Sequence, residues 1–364
     1  MYPDFSYIFH DFFHTEVDGI GSALKTYPFF IGLAIFISIV WIEKALRERV
    51  NVDATMTNKM PGLYLLILTS SAALGSKTLS YGNQADSASP FSMAGALSGL
   101  VLGAMVVYFL NLKIAHKKFP LPYLVRDSIL FIVTLAFIVS KAGGVIETFI
   151  RGKNIAENAT SLLYTGVSYH WAFLGGIIAA CLYFKNSTIK THQFFDAIAP
   201  VIMISYGIGR LGCHFSGDGD WGIENLCAKP FWFPFPDSWW RFDFPHNVAG
   251  IGIPLKDCAY HYCSVLEKPV WPSSLYEGLL GITAGVIFWR IRKQLGRPYL
   301  MFGWVLLISA VLRIIIENFR VTDKYNIFDI GISQAQIFYI FVAVIGVALV
   351  FPNKFGARRQ PITT

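Results

Sequence analysis

The chain has 364 residues, of which 54% are hydrophobic and only 15% are charged. Because soluble domains carry about 25% charged residues, this composition argues against a soluble globular class and favours an integral membrane protein. The formal net charge of +7 is too small to indicate a nucleic-acid-binding protein. In a membrane protein, a basic excess is typical of the cytoplasmic loops that fix the topology.

The amino-terminal segment, residues 1–19, does not have the sequence of a signal peptide. It lacks a basic stretch followed by an uninterrupted apolar run, and it is acidic at Asp4, Asp11, Glu16 and Asp18. A secretory signal peptide has both a basic start and an apolar core. We therefore expect the first apolar span to remain in the protein as an uncleaved anchor.

Nine apolar stretches predict membrane-spanning helices, since a bilayer core of about 30 Å requires roughly 20 helical residues. In chain order they centre on residues 27–42, 62–75, 92–112, 127–146, 171–184, 194–211, 274–291, 300–316 and 335–351. The second and the fifth are short and suit tilted or partly re-entrant helices. The predicted fold class is all-α, a polytopic membrane protein with about nine transmembrane helices in one domain, residues 1–364.

Lysine and arginine are concentrated in alternate connections between these stretches. The basic connections contain Lys44 and Arg47, Lys117 and Arg126, Lys185 and Lys190, Arg290 and Lys293, and the tail residues Lys354 and Arg358. By the positive-inside rule the amino terminus is then outside and the carboxyl terminus is cytoplasmic. The long polar connection at about residues 213–272 falls on the outer side.

This outer connection is rich in aromatic residues, most densely in the stretch PFWFPFPDSWWRFDFP. Such a stretch is typical of an aromatic belt that anchors a protein at the headgroup level. The alternative is a lid that grips substrate, and the sequence does not distinguish the two.

Five cysteines are present. Cys181 lies within an apolar stretch, where we expect it to pack in the core. The other four fall on the outer side, where oxidation is possible, and we expect a disulfide from Cys227 to Cys258 or Cys263. The spacing between Cys258 and Cys263 is too weak a signal to predict a metal site.

Two stretches resemble each other and suggest an internal repeat of helix pairs, residues 62–112 and 127–184. Each has a lysine near a helix end, a polar loop, a helix rich in small residues, and then a basic loop. Small residues let helix backbones approach closely. Shared membrane composition is the alternative explanation.

The first polar cluster follows the sixth apolar stretch and reads YGIGRLGCHFSGDGDWG, residues 206–222. It places Arg210, His214, Asp218 and Asp220 at the outer membrane surface. Glycine permits close backbone approach to a ligand, and arginine presents a planar fork suited to phosphate. A helix end with Arg210 snorkelling to the headgroups is the structural alternative, but the density of glycine and acidic residues favours a functional site.

Three further features carry ionisable groups. Arg313 and Glu317 are four residues apart and share one helix face, either as a structural ion pair or as part of a site. Glu277 suits the first turn of a helix that opens at Pro-Ser-Ser, or it lines a cavity with Tyr276 beside the arginines. His170 stands at the outer end of the fifth stretch, where a lone histidine is more often structural than catalytic.

Together these clusters place two arginines and several carboxylates in the outer half of the membrane. Ionisable residues in apolar spans are functional candidates because they are costly to keep there. The pocket suits an anionic lipid headgroup, whose phosphate accepts charge-assisted hydrogen bonds, beside a proton acceptor that activates a nucleophile. A transporter is an alternative, because repeats and broken helices also occur in that class.

The glycine-rich cluster resembles the signature of the prolipoprotein diacylglyceryl transferase family, Gly-Arg-x-Gly-Asn-Phe-x-Asn-Gly-Glu. Three flanking segments resemble family segments in the same order: FFDAIAPVIMISYGIGRLG the Asp-x-x-Ala-Pro helix, WPSSLYEG the His-Pro-Ser-Gln-Leu-Tyr-Glu segment, and LRIIIENFR the Phe-Arg-x-x-x-Glu-x-x-Arg segment. AFLGGIIA resembles the His-Gly-Gly-Leu segment, and Tyr27 a tyrosine at the start of the first span. The resemblance extends over about residues 25–350.

The resemblance implies transfer of a diacylglyceryl group from phosphatidylglycerol to the thiol of a lipobox cysteine in a prolipoprotein, with release of glycerol phosphate. This reaction is the first step of lipoprotein biosynthesis. The partners would be phosphatidylglycerol, prolipoprotein signal peptides and membrane lipids, with no cofactor, metal or nucleic acid. The enzyme would be a monomeric, multi-pass protein of the bacterial inner membrane, with residues 213–272 as a periplasmic segment.

The resemblance also implies roles for individual residues. Arg210 and Arg313 would bind the lipid phosphate, and Glu317 would orient Arg313. Asp218, in place of the glutamate of the family, would face the headgroup. The other residues expected to contact substrate are Gly212, Tyr27, Tyr276 and Glu277.

The sequence departs from the family at several motif positions. Leu174 replaces the histidine of the His-Gly-Gly segment, which is the usual candidate base. His170, about one helical turn earlier, and His214 are the expected substitutes. Cys213 and Ser216 replace the two asparagines of the signature. These departures motivate an alternative function, a family relative that has lost catalysis and binds lipid.

Overall fold

The computed structural model describes residues 2–13, 21, 24–50, 60–82, 93–114, 119–150, 168–185, 187–256, 258, 261–322, 324–327 and 330–351. Eleven helices lie in these ranges: α1 (Phe5–Phe13), α2 (Thr26–Arg47), α3 (Pro61–Gly82), α4 (Met93–Ile114), α5 (Leu121–Ile150), α6 (Tyr169–Phe184), α7 (Thr191–Ser216), α8 (Asp237–Trp240), α9 (Ser273–Ile291), α10 (Leu300–Glu317) and α11 (Gln334–Val350). Two short antiparallel sheets pair β1 (Ile253–Pro254) with β2 (Ser264–Val265), and β3 (Lys324–Ile327) with β4 (Ile330–Ser333).

Each of the nine predicted apolar stretches coincides with a helix in the described ranges. Four helices are long and apolar enough to cross a membrane, namely Thr26–Arg47, Leu121–Glu147, Thr191–Ser216 and Leu300–Glu317. The mostly helical, membrane-protein character of the prediction is therefore confirmed. The number of nine crossings and the outer position of residues 213–272 remain predictions. Glu16, Asp18, Lys117, Lys354 and Arg358, which entered the predictions on the start of the chain and on orientation, lie outside the described residues.

The chain forms two compact units, Met1–Ile42 with Phe195–Thr364, and Glu43–Phe194. In the second unit the helix pairs α3–α4 and α5–α6 pack through small residues. A Cβ on Gly99 would clash with the carbonyl of Ser71, and one on Gly143 would clash with the ring of Trp171. These pairs are the two halves of the expected repeat, which stays a prediction because its connecting residues 83–92 and 151–167 lie outside the described residues.

A buried carboxylate in each unit caps the start of a neighbouring helix. In the second unit Asp127 accepts hydrogen bonds from the backbone N–H of Gly62 and Leu63, at 3.0 and 2.8 Å. In the first unit Asp196 accepts from Tyr299 and Phe302, at 2.9 and 3.0 Å. The first N–H groups of a helix have no partner within it, so each aspartate satisfies donors that would otherwise be buried unpaired.

Glycines bring the helices of the first unit into close contact. The backbones of α7 and α9 meet at Gly207, Gly278 and Gly281, where an added Cβ on Gly207 would stand 2.6 Å from the carbonyl oxygen of Gly278. Helices α10 and α11 meet in the same way at Gly303 and Gly346. Small residues at a crossing allow this approach, and the α7–α9 crossing lies directly beside the polar clusters.

The described residues of the 213–272 segment are folded around a small core of Trp221, Phe244 and Val270. Phe231 and Trp232, from its aromatic stretch, are exposed. The aromatic belt and the lid both remain predictions for this stretch.

Two cysteine predictions were wrong. The disulfide joins Cys258 to Cys263, and Cys227 is free and exposed. This bridge joins cysteines five residues apart and closes a local loop. The prediction used only the expected outer location of the four cysteines, which does not tell which of them are close enough to pair. Cys181 is exposed on α6 and not packed in the core, because the uniformly apolar sequence of α6 does not mark which face is buried.

Candidate active site

The α7–α9 crossing places Arg210 beside Glu277. Arg210 follows Gly207 by one helical turn, and Glu277 directly precedes Gly278, so the close approach of the backbones juxtaposes the two side chains. The Nε of Arg210 forms an ion pair with Oε2 of Glu277, and Tyr206 donates its hydroxyl proton to the same oxygen at 2.7 Å. Glu277 is buried, and such a carboxylate is tolerated only with partners of this kind.

Helix α10 and the turn after it bring two more arginines to the same carboxylates. Arg313 pairs with Glu277 and, at 2.9 Å, with Glu317. Arg320 lies 3.4 Å from Glu277 and 3.9 Å from Glu317. Glu317 also accepts a hydrogen bond of 2.8 Å from the hydroxyl of Ser333. Arg313 and Glu317 share one face of α10 because they are four residues apart. The turn after the helix brings Arg320 to the same carboxylates.

Asp220 completes the cluster from the loop after α7. Its two carboxylate oxygens pair with Arg210 and Arg320, one oxygen to each. The loop is held there by backbone hydrogen bonds from Ile223 N–H to the Phe319 carbonyl and from Gly222 N–H to the Trp271 carbonyl, both of 2.8 Å. A Cβ on Gly222 would stand 2.5 Å from the Phe319 oxygen, so glycine is required for this approach.

We call these six residues the arginine network: Arg210, Arg313, Arg320, Asp220, Glu277 and Glu317. Among the described residues the three guanidinium groups are balanced by three carboxylates. Each arginine contacts two of the carboxylates or more, which fixes the direction of its N–H donors. Preoriented donors in a largely buried site are suited to hold an oxyanion such as a phosphate.

Asp218 differs from the carboxylates of the arginine network. In the described part of the chain it forms no ion pair with an arginine, and it lies close to the thiol of Cys213 and the carboxylate of Asp220. Burial raises the pKa of Asp218 above its ordinary value. For Asp220, burial acts in the same direction, but Arg210 and Arg320 outweigh it and lower its pKa.

Cys213, Asp218 and Asp220 offer ligand atoms within 4.8 Å of one another. The arrangement is poorly suited to a metal, because Asp220 is already bound by two guanidinium groups and a dication would be repelled by them. The groups at this place that attract an anion are Arg210 and Arg320, which already hold the carboxylate of Asp220.

Three of the predicted substrate-contacting residues surround the arginine network. Tyr27 lies against Gly212, where an added Cβ would stand 3.4 Å from its ring. Tyr276 donates its hydroxyl proton to the carbonyl of Trp239 and so ties α9 to the 213–272 segment. The roles predicted for these residues remain predictions.

Of the two histidines predicted as bases, His214 does not join the arginine network in the contacts that the structure describes. His214 is buried among the rings of Phe215, Phe242 and Phe244. Its Nδ1 has no hydrogen-bond partner among the described residues. His170 belongs to the other compact unit, where its ring packs against Tyr169. The catalytic role of either histidine stays untested.

The sequence analysis did not assign Arg320 or Ser333 to the site. Arg320 carried a signal in its spacing, seven residues after Arg313 and three after Glu317, although α10 ends at Glu317 and Arg320 lies in the turn after it. Asp220 was noted in the glycine-rich cluster without a partner. Ser333 gave no local signal of its contact, since it is the last residue of a separate strand, β4.

Comparisons with known proteins identify relatives of this chain. The family model described as prolipoprotein diacylglyceryl transferase matches residues 95–352. A phosphatidylglycerol–prolipoprotein diacylglyceryl transferase of Xanthomonas oryzae pv. oryzae (strain PXO99A) is 26% identical over 203 residues, which cover 54% of this chain and 64% of the relative. Proteins of the same name from Xanthomonas axonopodis pv. citri (strain 306) and Xanthomonas campestris pv. campestris (strain B100) match with the same identity and coverage.

The chain thus spans just under two thirds of the length of these relatives. The matched family region contains the whole arginine network, from Arg210 to Arg320. Because the family match extends over more than half of the residues, the chain belongs to the prolipoprotein diacylglyceryl transferase family.

Proposed function

We propose that this protein transfers the diacylglyceryl group of phosphatidylglycerol to the thiol of a lipobox cysteine in a prolipoprotein. The observation that carries the proposal is the arginine network in a chain of this family: three guanidinium groups gathered around Glu277. A phosphodiester headgroup is the anion that the named relatives act on, and it fits these donors.

The proposed reaction exchanges a carbon–oxygen bond for a carbon–sulfur bond and moves one proton from the thiol to a base. The cysteine sulfur attacks the carbon of the diacylglyceryl unit that carries the phosphate ester. The bond from that carbon to the phosphate oxygen breaks, and glycerol phosphate leaves with the bonding electrons. The thiol proton passes to a base on the protein. Arg210 and Arg313 bind the phosphate and stabilise the negative charge that grows on the leaving group. Glu277 and Glu317 hold the arginines in place.

We propose Asp218 as the proton acceptor. Asp220 is a poor base because Arg210 and Arg320 lower its pKa. The carboxylates of Glu277 and Glu317 are occupied by their ion pairs with arginine. Asp218 is outside those pairs, and burial raises its pKa toward the range in which a carboxylate accepts a proton efficiently. Leu174 occupies the position where the family carries its histidine, so a base from another element is needed.

We further propose that the protein crosses the bacterial inner membrane nine times, with the amino terminus outside and the carboxyl terminus in the cytoplasm. The alternation of basic connections supports this orientation. The four long apolar helices and the shorter ones at Tyr169–Phe184 and Gln334–Val350 support the crossings. The site then opens toward the periplasmic side, where phosphatidylglycerol and prolipoprotein signal peptides meet.

The test is transfer by the purified full chain in nanodiscs that contain phosphatidylglycerol, with a lipobox peptide as acceptor. Release of glycerol phosphate and a thioether-linked peptide mass are the two readouts. We expect Arg210→Ala and Arg313→Ala to lower the rate by at least about a hundredfold, the effect typical of losing one oxyanion donor. A peptide with serine in place of the lipobox cysteine should not react.

Asp237→Asn serves as the matched control, because Asp237 is an exposed carboxylate whose partner is Lys229 and not an arginine of the network. Its rate should equal that of the unaltered chain. Size-exclusion profiles and Tm values establish that each arginine variant is folded, and Arg210→Lys keeps the charge while losing the planar fork. Thioether formation by both folded alanine variants would contradict the proposal. Binding of phosphatidylglycerol with no transfer by the unaltered chain would favour the lipid-binding alternative.

A further inference from the structure

Asp220 occupies the position between Arg210 and Arg320 in the manner of a bound anion. One of its oxygens pairs with Nη1 of Arg210 and the other with Nη2 of Arg320. Two guanidinium groups that converge on two oxygens of one acid form the arrangement that also recognises phosphate. The Asp220 side chain is 29% exposed, whereas Arg210 and Arg320 are each 12% exposed. Asp220 is therefore the member of this group that an incoming anion could most easily replace.

The loop that carries Asp220 contains two glycines in the left-handed region of backbone conformation. Gly217 and Gly219 have φ values of +64° and +98°, a region that other residues rarely adopt. These glycines lie between the end of α7 and the backbone hydrogen bonds of Gly222 and Ile223. Exchange of a phosphate for Asp220 would require its carboxylate to turn away from the arginines while these backbone hydrogen bonds hold the loop.

Arg210 retains donor capacity that Asp220 does not use. Its Nη2 is buried and has no hydrogen-bond partner among the described residues. Buried polar atoms are nearly always paired, so an open donor of this kind marks a place for a further acceptor. A phosphate ester offers more acceptor oxygens than a carboxylate and would satisfy this donor as well.

We propose that Asp220 is a placeholder for the phosphate of the substrate, by which we mean that its carboxylate occupies the phosphate-binding position between Arg210 and Arg320 when no substrate is bound. It holds Arg210 and Arg320 apart and oriented, and it must leave before a phosphate ester binds between them. Asp220 therefore sets the affinity of this subsite for phosphate esters, whether they arrive as a lipid headgroup or as free glycerol phosphate. The inference rests on the proposed function for its ligand class, but its measurement is anion binding and not transfer.

The test compares the affinity of variants for phosphate esters. The full chain, in nanodiscs of phosphatidylcholine, is titrated with glycerol phosphate by calorimetry. A second arm measures the binding of phosphatidylglycerol to the detergent-solubilised protein by native mass spectrometry. We expect Asp220→Asn to bind glycerol phosphate, phosphatidylglycerol or both at least about tenfold more tightly, the size of one charge-assisted hydrogen bond.

Two matched variants separate the placeholder from a general charge effect. Asp220→Glu keeps the competing carboxylate and should bind as weakly as the unaltered chain, within about threefold of it, a difference under 1 kcal/mol. Asp237→Asn removes one negative charge from the same 213–272 segment, away from the arginines, and should leave the affinity unchanged. If Asp220→Asn gains tenfold in affinity for only one of the two compounds, that compound, phosphatidylglycerol or glycerol phosphate, is the ligand of the subsite.

Equal affinity of Asp220→Asn and the unaltered chain in both arms would overturn the proposal, as would an equal gain in Asp237→Asn. Hydrogen exchange of residues 217–222 in the unaltered chain provides a measurement that does not depend on the folding of a variant. Saturating glycerol phosphate should speed this exchange, and unchanged exchange in the bound protein would count against a placeholder. If transfer fails but the tenfold gain is found, the proposed function is wrong and the placeholder stands.

Discussion

Glu277 accepts ion pairs from three arginines and a hydrogen bond from Tyr206 while remaining buried. Removing its charge leaves several guanidinium groups without their shared partner. We expect Glu277→Gln to lower the free energy of unfolding by about 3–5 kcal/mol, the cost of breaking a buried ion pair. Thermal unfolding in one detergent measures this loss.

The control for Glu277 is Glu224→Gln. Glu224 pairs with Lys268 at 3.0 Å, and both side chains are more than half exposed. Exposed pairs of this kind contribute little to stability, so the Tm should stay close to that of the unaltered chain. Equal losses in the two variants would show that the burial of Glu277 does not matter.

The raised pKa of Asp218 predicts the direction in which the stability of the protein changes with pH. Burial raises its pKa above the ordinary 3.8, so the folded protein holds this proton more tightly than the unfolded chain does. Stability from this group is therefore complete below pH 3.8 and declines as the pH rises through the raised pKa. Asp218→Asn should remove that decline and raise the Tm at neutral pH.

The same variant should lose transfer activity, because an amide cannot accept the thiol proton. In the unaltered chain the rate should rise with pH through the raised pKa of Asp218, as its base form accumulates. Rates and Tm values measured across pH on the same samples check both effects. If the Asp218→Asn protein kept full activity, and its rate still rose with pH as in the unaltered chain, Asp218 would be excluded as the base.

At the scale of elements, the α7–α9 crossing determines whether the site forms. A Cβ on Gly207 would stand 2.6 Å from the Gly278 oxygen and 2.8 Å from the Ile282 nitrogen, which are backbone atoms that cannot move aside. We expect Gly207→Ala to push the helices apart, to separate Arg210 from Glu277, and to lower both the Tm and the transfer rate.

Gly209→Ala is the matched control within the same four-residue motif. Its added Cβ would meet only the side-chain end of Ile31, at 3.7 Å, which is an ordinary contact. This variant should keep the Tm and the rate, and alanine should even favour the helix slightly. A loss as large as that of Gly207→Ala would mean that helix flexibility, and not close packing, is what the glycines provide.

The helices were predictable from the sequence because the signals for them are local. Each apolar stretch is a continuous run, and proline at Pro61 and Pro272 marks two helix starts. The Arg313–Glu317 pair was also predictable, since four residues separate its members on one helix. These features need no knowledge of how the helices pack.

The completed site was not predictable in the same way, because its contacts join distant segments. Arg320 and Asp220 are 100 residues apart, and Ser333 reaches Glu317 only through the packing of α11 beside α10. The family resemblance supplied Arg210, Arg313 and Glu317 as site residues, but it gave no partner for Asp220. The Cys258–Cys263 disulfide was missed because the spacing of four cysteines permits several pairings.

At the scale of the whole molecule, the cysteines provide a direct test of orientation. Cys227 is free and exposed on the 213–272 segment, whereas Cys258 and Cys263 are bonded and Cys213 is buried. If this segment is periplasmic, a membrane-impermeant maleimide that crosses the outer membrane should label Cys227 in intact cells. Cys181 is exposed within apolar helix α6, where contact with lipid should protect it from a water-soluble reagent.

The opposite side is tested by Gln294→Cys in a Cys227→Ser background. Gln294 is exposed just after α9, in a connection that the positive-inside rule assigns to the cytoplasm. This position should be labelled only after the inner membrane is permeabilised, whereas Cys227→Ser alone should abolish labelling in intact cells. The reverse pattern at the two positions would invert the topology. It would also place the arginine network at the cytoplasmic face, away from secreted prolipoproteins, and so would argue against the proposed function as well.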